Sequence, residues 1–177
     1  DEDDLTQHSN PGFRIDCDTG SLVINEESLN FDRAKTELSE AGKDLLRREV
    51  PRYLNVVKAA LGDTEFEIKG VELSGHTDRT GEDYDNAWFS RARAGAVMNF
   101  LMDEAKSQDS GMSSHIELLR KKGYTAGYAF SRLPTECPEH QEECKAARRV
   151  EVQVHIDTSK ILGEVRKLLN TWKENQM

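Results

Sequence analysis

Residues 148–156, RRVEVQVHI, place Val150, Val152, Val154 and Ile156 at every second position. Strict alternation sends apolar side chains to one side of an extended chain and polar ones to the other, so this segment is a strand of a sheet that buries one face. Other elements must cover that face. FEIKGVELSGH, residues 66–76, carries Phe66, Ile68, Val71 and Leu73, ends at Gly75, and reads as a core strand. SLVINEESLNF, residues 21–31, reads as a strand leading into a turn, with Leu22, Ile24, Leu29 and Phe31 apolar.

The cover comes from helical periodicity. Leu38, Ala41, Leu45, Leu46, Val50, Tyr53, Leu54, Val57 and Leu61 recur at steps of three and four, one face of a helix that Pro51 is expected to kink or break just before that residue. A second helix from about Asn86 to Asp103 places Phe89, Ala92, Ala96, Val97, Phe100 and Leu101 on one face, and a shorter one spans Ser113 to Lys121, stopped by Gly123. Ser159 to Trp172 repeats the pattern as a C-terminal amphipathic helix. Strands alternating with helices in this order predict an α/β (α+β) sandwich in which helices cover a mixed sheet. The domain is expected over 21–156, with 1–20 an acidic linker or extension and 157–177 the added helix.

An apolar content of 36% in 177 residues supplies one core. The net charge of −9 repels nucleic acid and anionic membrane surfaces, so neither is an expected partner. The sequence has no run of about 18 apolar residues, so no helix long enough to span a bilayer is expected. A start at Asp1, without an initiator Met or a signal peptide, reads as a processed or excised fragment, and any membrane anchor or signal of its parent is expected outside this chain. Of three cysteines, Cys137 and Cys144 bracket the polar segment PEHQEE, a loop that a disulfide could close. Free thiols are a second reading. Zinc held by Cys137, His140 and Cys144 is a third, short of a fourth ligand, and no metal or other cofactor is expected.

Between the strand ending at Gly75 and the helix near Asn86, the stretch GHTDRTGEDYDN concentrates polar groups at a sheet edge. Asp78 offers a carboxylate for an ammonium, Thr80 a hydroxyl, and Asn86 both donor and acceptor. Arg93 offers a planar guanidinium suited to a carboxylate. Asn86 and Arg93, two helical turns apart, share a face, and together the set suits a zwitterion. The plainer reading is that Asp78 and Asp85 cap turns and Arg93 pairs with Asp78 to hold the loop. A hydrolytic triad of His76, Asp78 and Ser74 or Ser90 lacks the strained G-x-S-x-G nucleophile turn.

LSGHTDRTGEDYDNAWFSRARAGAV resembles the signature of OmpA-like peptidoglycan-binding domains, found in outer-membrane anchors, peptidoglycan-associated lipoproteins and MotB-type stator subunits. That signature runs G-H-T-D, then G, then N, then L-S-x-x-R-A. Gly75, His76, Thr77, Asp78, Gly81, Asn86, Ser90, Arg93 and Ala94 fall in register, with Phe89 at the usual Leu. LNFDRAKTEL, KKGYTA and ARRVEV resemble further segments of the family, so the likeness covers roughly residues 21–156. Ala147, Ala34 and the segment 126–146 depart from its pattern.

The resemblance implies a non-enzymatic domain that holds the diaminopimelate of a peptidoglycan stem peptide. Asp78 would take the ammonium and Arg93 the carboxylate, with Thr80 and Asn86 supporting them. Arg148 would close the pocket from the last strand, and Asp32 is a weaker candidate. Because only diaminopimelate brings the distal carboxylate, Arg93 would also select it over lysine. The implied setting is the periplasm, with a membrane or motor partner reached through a region outside this chain. An alternative role is a dimerisation or partner-docking domain of a MotB-like stator, for which the C-terminal helix and a homodimer would matter.

Overall fold

A computed structural model of the chain describes residues 12–29, 31, 35–62, 67–107, 110–138 and 140–159. Five strands, β1 (Phe13–Asp16), β2 (Ser21–Asn25), β3 (Ile68–His76), β4 (Gly123–Gly127) and β5 (Arg149–Ile156), form one mixed sheet in the order β1-β2-β5-β3-β4. All neighbours are antiparallel except β3 and β4, which run parallel. The crossover between those two carries helix α3 (Asp83–Glu104), a 3-10 turn and helix α4 (Ile116–Lys122), as a parallel connection requires. The expected sandwich of helices on a mixed sheet is what forms.

The alternation of β5 buries Val150 and Val152 beside Leu22 and Ile24 of β2 and Val71 and Leu73 of β3. Helix α2 (Glu40–Leu61) lays Leu46, Val50 and Leu54 on that surface, and α3 adds Val97 and Leu101. The opposite face of β3 presents Glu72, Ser74 and His76. There the buried carboxylate of Glu72 accepts hydrogen bonds from the Tyr124 and Tyr128 hydroxyls at 2.9 and 2.8 Å.

Several elements differ from the sequence expectation. Residues 13–16, inside the stretch read as an extension, pair with β2 as a hairpin whose turn is tied by the Asp16 carboxylate to the amides of Asp18 and Thr19. The strand read within residues 21–31 ends at Asn25, and where a turn was expected a short helix, α1 (Glu26–Leu29), buries Leu29. Pro51 does not break α2, which continues through it; the ring is buried, so packing offsets the one backbone bond it forgoes. The edge strand β4 was not signalled. Ser39 caps α2 by accepting from the Gly42 amide at 3.0 Å. The linker at 1–11, Asp32 and the C-terminal helix beyond 159 lie outside the described residues.

Candidate functional site

Helix α3 meets the sheet at unusually close range where β3 ends. A Cβ on Gly75 would lie 1.9 Å from the Ser90 carbonyl, and one on Gly127 would lie 2.7 Å from the Arg91 amide. Only glycine permits this approach, and it sets the first three turns of α3 against the end of the sheet. Ser90 Oγ then donates to the Ala87 carbonyl and accepts from the Ala129 amide, both at 3.2 Å. The buried face of α3 therefore begins with Asn86, Ser90 and Arg93 before it turns to Ala94, Val97 and Leu101. Phe89 and Ala92, expected on the buried face, are only partly covered.

Asp78 lies just beyond β3, and it is 3% exposed. Its Oδ1 accepts from the Thr80 amide at 3.1 Å and from the Thr80 hydroxyl, and the Thr80 carbonyl accepts from Asn86 Nδ2 at 3.1 Å. Thr80 and Asn86 thus fix the carboxylate. Its Oδ2 accepts from the Cys144 amide at 3.3 Å and lies 3.7 Å from Arg148 Nη1.

The Cys144 amide reaches Asp78 because a disulfide joins Cys137 to Cys144, with 5.8 Å between their Cα atoms. That bond decides among the three states left open by the sequence, and His140 stays exposed. The Arg79 amide donates to the Glu142 carbonyl at 3.0 Å and Arg79 Nη1 to the Pro138 carbonyl at 3.2 Å, so the cystine loop and the Asp78 loop are stitched together.

Arg93 does not pair with Asp78. Its guanidinium is 2.8 Å from Glu26 Oε1, donates through Nε to the Lys35 carbonyl at 3.4 Å, and lies over the rings of Phe31 and Phe89 at 5.3 and 5.5 Å. The residue is 6% exposed. Glu26 is fixed in turn because its amide donates to the Arg148 carbonyl at 2.9 Å, which sets the start of α1 beside the entry to β5. Arg148 Nε stands 3.8 Å from Glu26 Oε2.

The four groups form an alternating chain, Asp78–Arg148–Glu26–Arg93, with two charges of each sign. Glu143 extends it at the rim, 3.7 Å from Arg148. Burial raises the Glu26 carboxyl above the usual range, opposed by Arg93 and Arg148 and assisted by Asp78. Burial likewise lowers Arg93, opposed mainly by Glu26. Glu26 Oε2 and Thr77 Oγ1 are buried without a hydrogen-bond partner.

The structure therefore brings together Asp78, Thr80, Asn86, Arg93 and Arg148, while Asp32 lies outside the described residues. Glu26 and the cystine-loop amide were not foreseen. Glu26 reads in the sequence as one of two ordinary acids in the turn after the strand, and only its place two residues after Ile24, at a strand end, marks it. His76 makes no triad. It is buried, its Nε2 faces both Ser74 Oγ at 3.3 Å and Glu151 Oε1 at 3.7 Å, and its Nδ1 has no partner, whereas a triad places the acid on the other ring nitrogen from the nucleophile. Burial, with Arg149 and Arg132 nearby, lowers His76 to about 3, so it is neutral and forms no ion pair with Glu151 at neutral pH.

The OmpA family model matches residues 30–118, half of the 177-residue chain, including the loop and helix that carry Asp78, Asn86 and Arg93. The chain belongs to the OmpA family. Solved structures share the fold of this OmpA-family domain. A periplasmic domain of Helicobacter pylori MotB is 17% identical, over 90% of this chain and 97% of that one, with a TM-score of 0.56. A second form of that domain is 16% identical over 85% and 84%, with a TM-score of 0.52. The cell wall anchor of a type VI secretion system from Pseudomonas aeruginosa is 22% identical over 77% and 81%, with a TM-score of 0.48. No match to a curated protein sequence reaches significance. Among the described residues, no helix is long and apolar enough to cross a membrane.

Proposed function

We propose that this OmpA-family domain binds cell-wall peptidoglycan through the diaminopimelate of the stem peptide and so tethers a larger envelope protein to the wall. One observation carries the reading: a carboxylate and a guanidinium, Asp78 and Arg93, are held almost without solvent contact at the end of β3 and on the facing turn of α3. Burying a charge is costly unless it has work or a partner, and a side chain bearing one ammonium and one carboxylate complements both. Thr80 and Asn86 hold Asp78, Arg148 stands over it, and Phe31 and Phe89 flank Arg93. A disulfide next to the site accords with an oxidising periplasm.

The role is binding without chemistry. Incubation with purified sacculi should remove the domain from solution, release no soluble muropeptides, and be reversed by free diaminopimelate. Asp78→Asn should weaken sedimentation about tenfold to a hundredfold, the loss of one charge-assisted contact. Full retention of sacculus binding in a folded Asp78→Asn, Arg93→Lys double variant would remove the pocket from the reading.

A further inference from the structure

Arg93 is the proposed seat for the ligand carboxylate, and in the structure the protein's own carboxylate already sits there. Glu26 Oε1 is 2.8 Å from Arg93 Nη2. The Asp78 seat is likewise shared, by Arg148 at 3.7 Å. We propose that Glu26 is a specificity-determining residue: an internal carboxylate that holds the ligand carboxylate's place on Arg93, so that the pocket accepts stem peptides whose diaminopimelate carboxylate is amidated or missing. This rests on the peptidoglycan reading above.

The geometry supplies the exchange. When a zwitterionic side chain enters, its ammonium takes Asp78 from Arg148 and its carboxylate takes Arg93 from Glu26. The two displaced groups are already neighbours, with Arg148 Nε 3.8 Å from Glu26 Oε2, and that oxygen has no hydrogen bond to lose. They close on each other, and the number of ion pairs is conserved.

When a ligand brings only an ammonium, it takes Asp78 and leaves Glu26 on Arg93. No buried guanidinium is stranded. The selection for diaminopimelate over lysine expected from Arg93 alone is therefore reduced by Glu26, because a bare Arg93 is what would have penalised the lysine peptide. Arg148, whose side chain is the most exposed of the four at 27%, is the group free to move first.

The test is calorimetric titration with three matched stem peptides, carrying diaminopimelate with a free side-chain carboxylate, its amide, and lysine, on the wild-type chain and on Glu26→Gln. The wild-type chain should bind all three within about tenfold. Glu26→Gln should strengthen the free-carboxylate peptide alone, widening its lead over the amide by a further tenfold or more. Equal change for all three peptides, or none, overturns the assignment. If Glu26→Gln does not fold, the wild-type chain decides: the Glu26 side-chain carboxyl 13C resonance should move with the free-carboxylate peptide and stay put with the amidated one, and the reverse or a common shift overturns it. Failure of the wild-type chain to bind either sacculi or peptides would sink the wall-binding reading itself. Sacculus binding with unaltered peptide preference in the variant sinks only the role of Glu26.

Discussion

The two halves of α3 bury the same stripe for different ends. From Val97 to Leu101 the stripe is apolar and packs on α2 and the sheet; from Asn86 to Arg93 it is polar and meets Thr80, Ala129 and Glu26 instead. One helix thus carries a structural half and a site half on a single face. The apolar half is exchangeable for any close-packed equivalent, whereas the polar half requires each partner to be present, because every buried charge there depends on another.

Truncation separates the halves most sharply. Arg93→Ala strands Glu26 as a buried anion whose remaining cation is 3.8 Å away, and breaking a buried pair typically costs about 3–5 kcal/mol. Denaturant titration should show the loss, and the residual folded protein should bind sacculi about tenfold to a hundredfold less tightly. Leu101→Ala should cost about 2–5 kcal/mol by leaving a cavity in the core, yet each folded molecule should bind sacculi as the parent does. A binding defect in Leu101→Ala at temperatures where it is fully folded would erase the distinction between the halves.

The cystine loop belongs to the site half. Replacing Cys137 and Cys144 by Ala together should cost about 2 kcal/mol by the chain-entropy relation for so short a loop, and should free the Asp78 carboxylate from the Cys144 amide. The measurements are thermal melting and peptide titration of the two forms. If the loop only braces the fold, affinity stays constant while the melting temperature falls; if it shapes the Asp78 seat, both change.

How far the sequence reveals these halves depends on what each element is built from. Strand β5 and the apolar half of α3 were legible because burial on one side imposes a period, and Val150, Val152, Val97 and Leu101 obey it. β4 escaped because it pairs along one edge only, has glycine at both ends, and offers little apolar surface. The residues of the site were legible as types, since Asp78, Asn86 and Arg93 stand in a dense motif. Their pairing was not. Arg93 lies four residues before Val97 and eight before Leu101, which placed it on the buried stripe, but nothing local shows that its partner is Glu26 from another element sixty-seven residues earlier. Long-range charge pairing is set by where strand ends meet, here the entry to β5 beside the exit of β2.

The smallest effect is the response to acid, and it distinguishes the two regions by slope rather than by offset. The His76 ring, buried beside the site half, is held at about 3 by burial and by the nearby Arg149 and Arg132. An unfolded histidine titrates near 6.5. Between these values the unfolded chain binds a proton that the folded chain refuses, so stability falls as pH drops from about 6.5, by at most about 1.4 kcal/mol per pH unit for one group. His115, buried with neither ring nitrogen hydrogen-bonded, is also lowered, by burial and then by Lys58, and adds in the same direction. Glu26 acts oppositely: its raised carboxyl is protonated in the folded state before the unfolded one, which relieves a folded-state cost as pH falls. Asp16 and Asp157, whose values are lowered, contribute only at lower pH, so the window from pH 6.5 to 5 sets the two histidines against Glu26. Denaturant titrations at half-unit steps across that window should give a falling line for the parent, the same slope at lower stability for Leu101→Ala, and a flatter slope for His76→Gln, with the remainder set by His115 against Glu26. A parallel line for His76→Gln would show that the proton taken up on unfolding is not the one denied to His76.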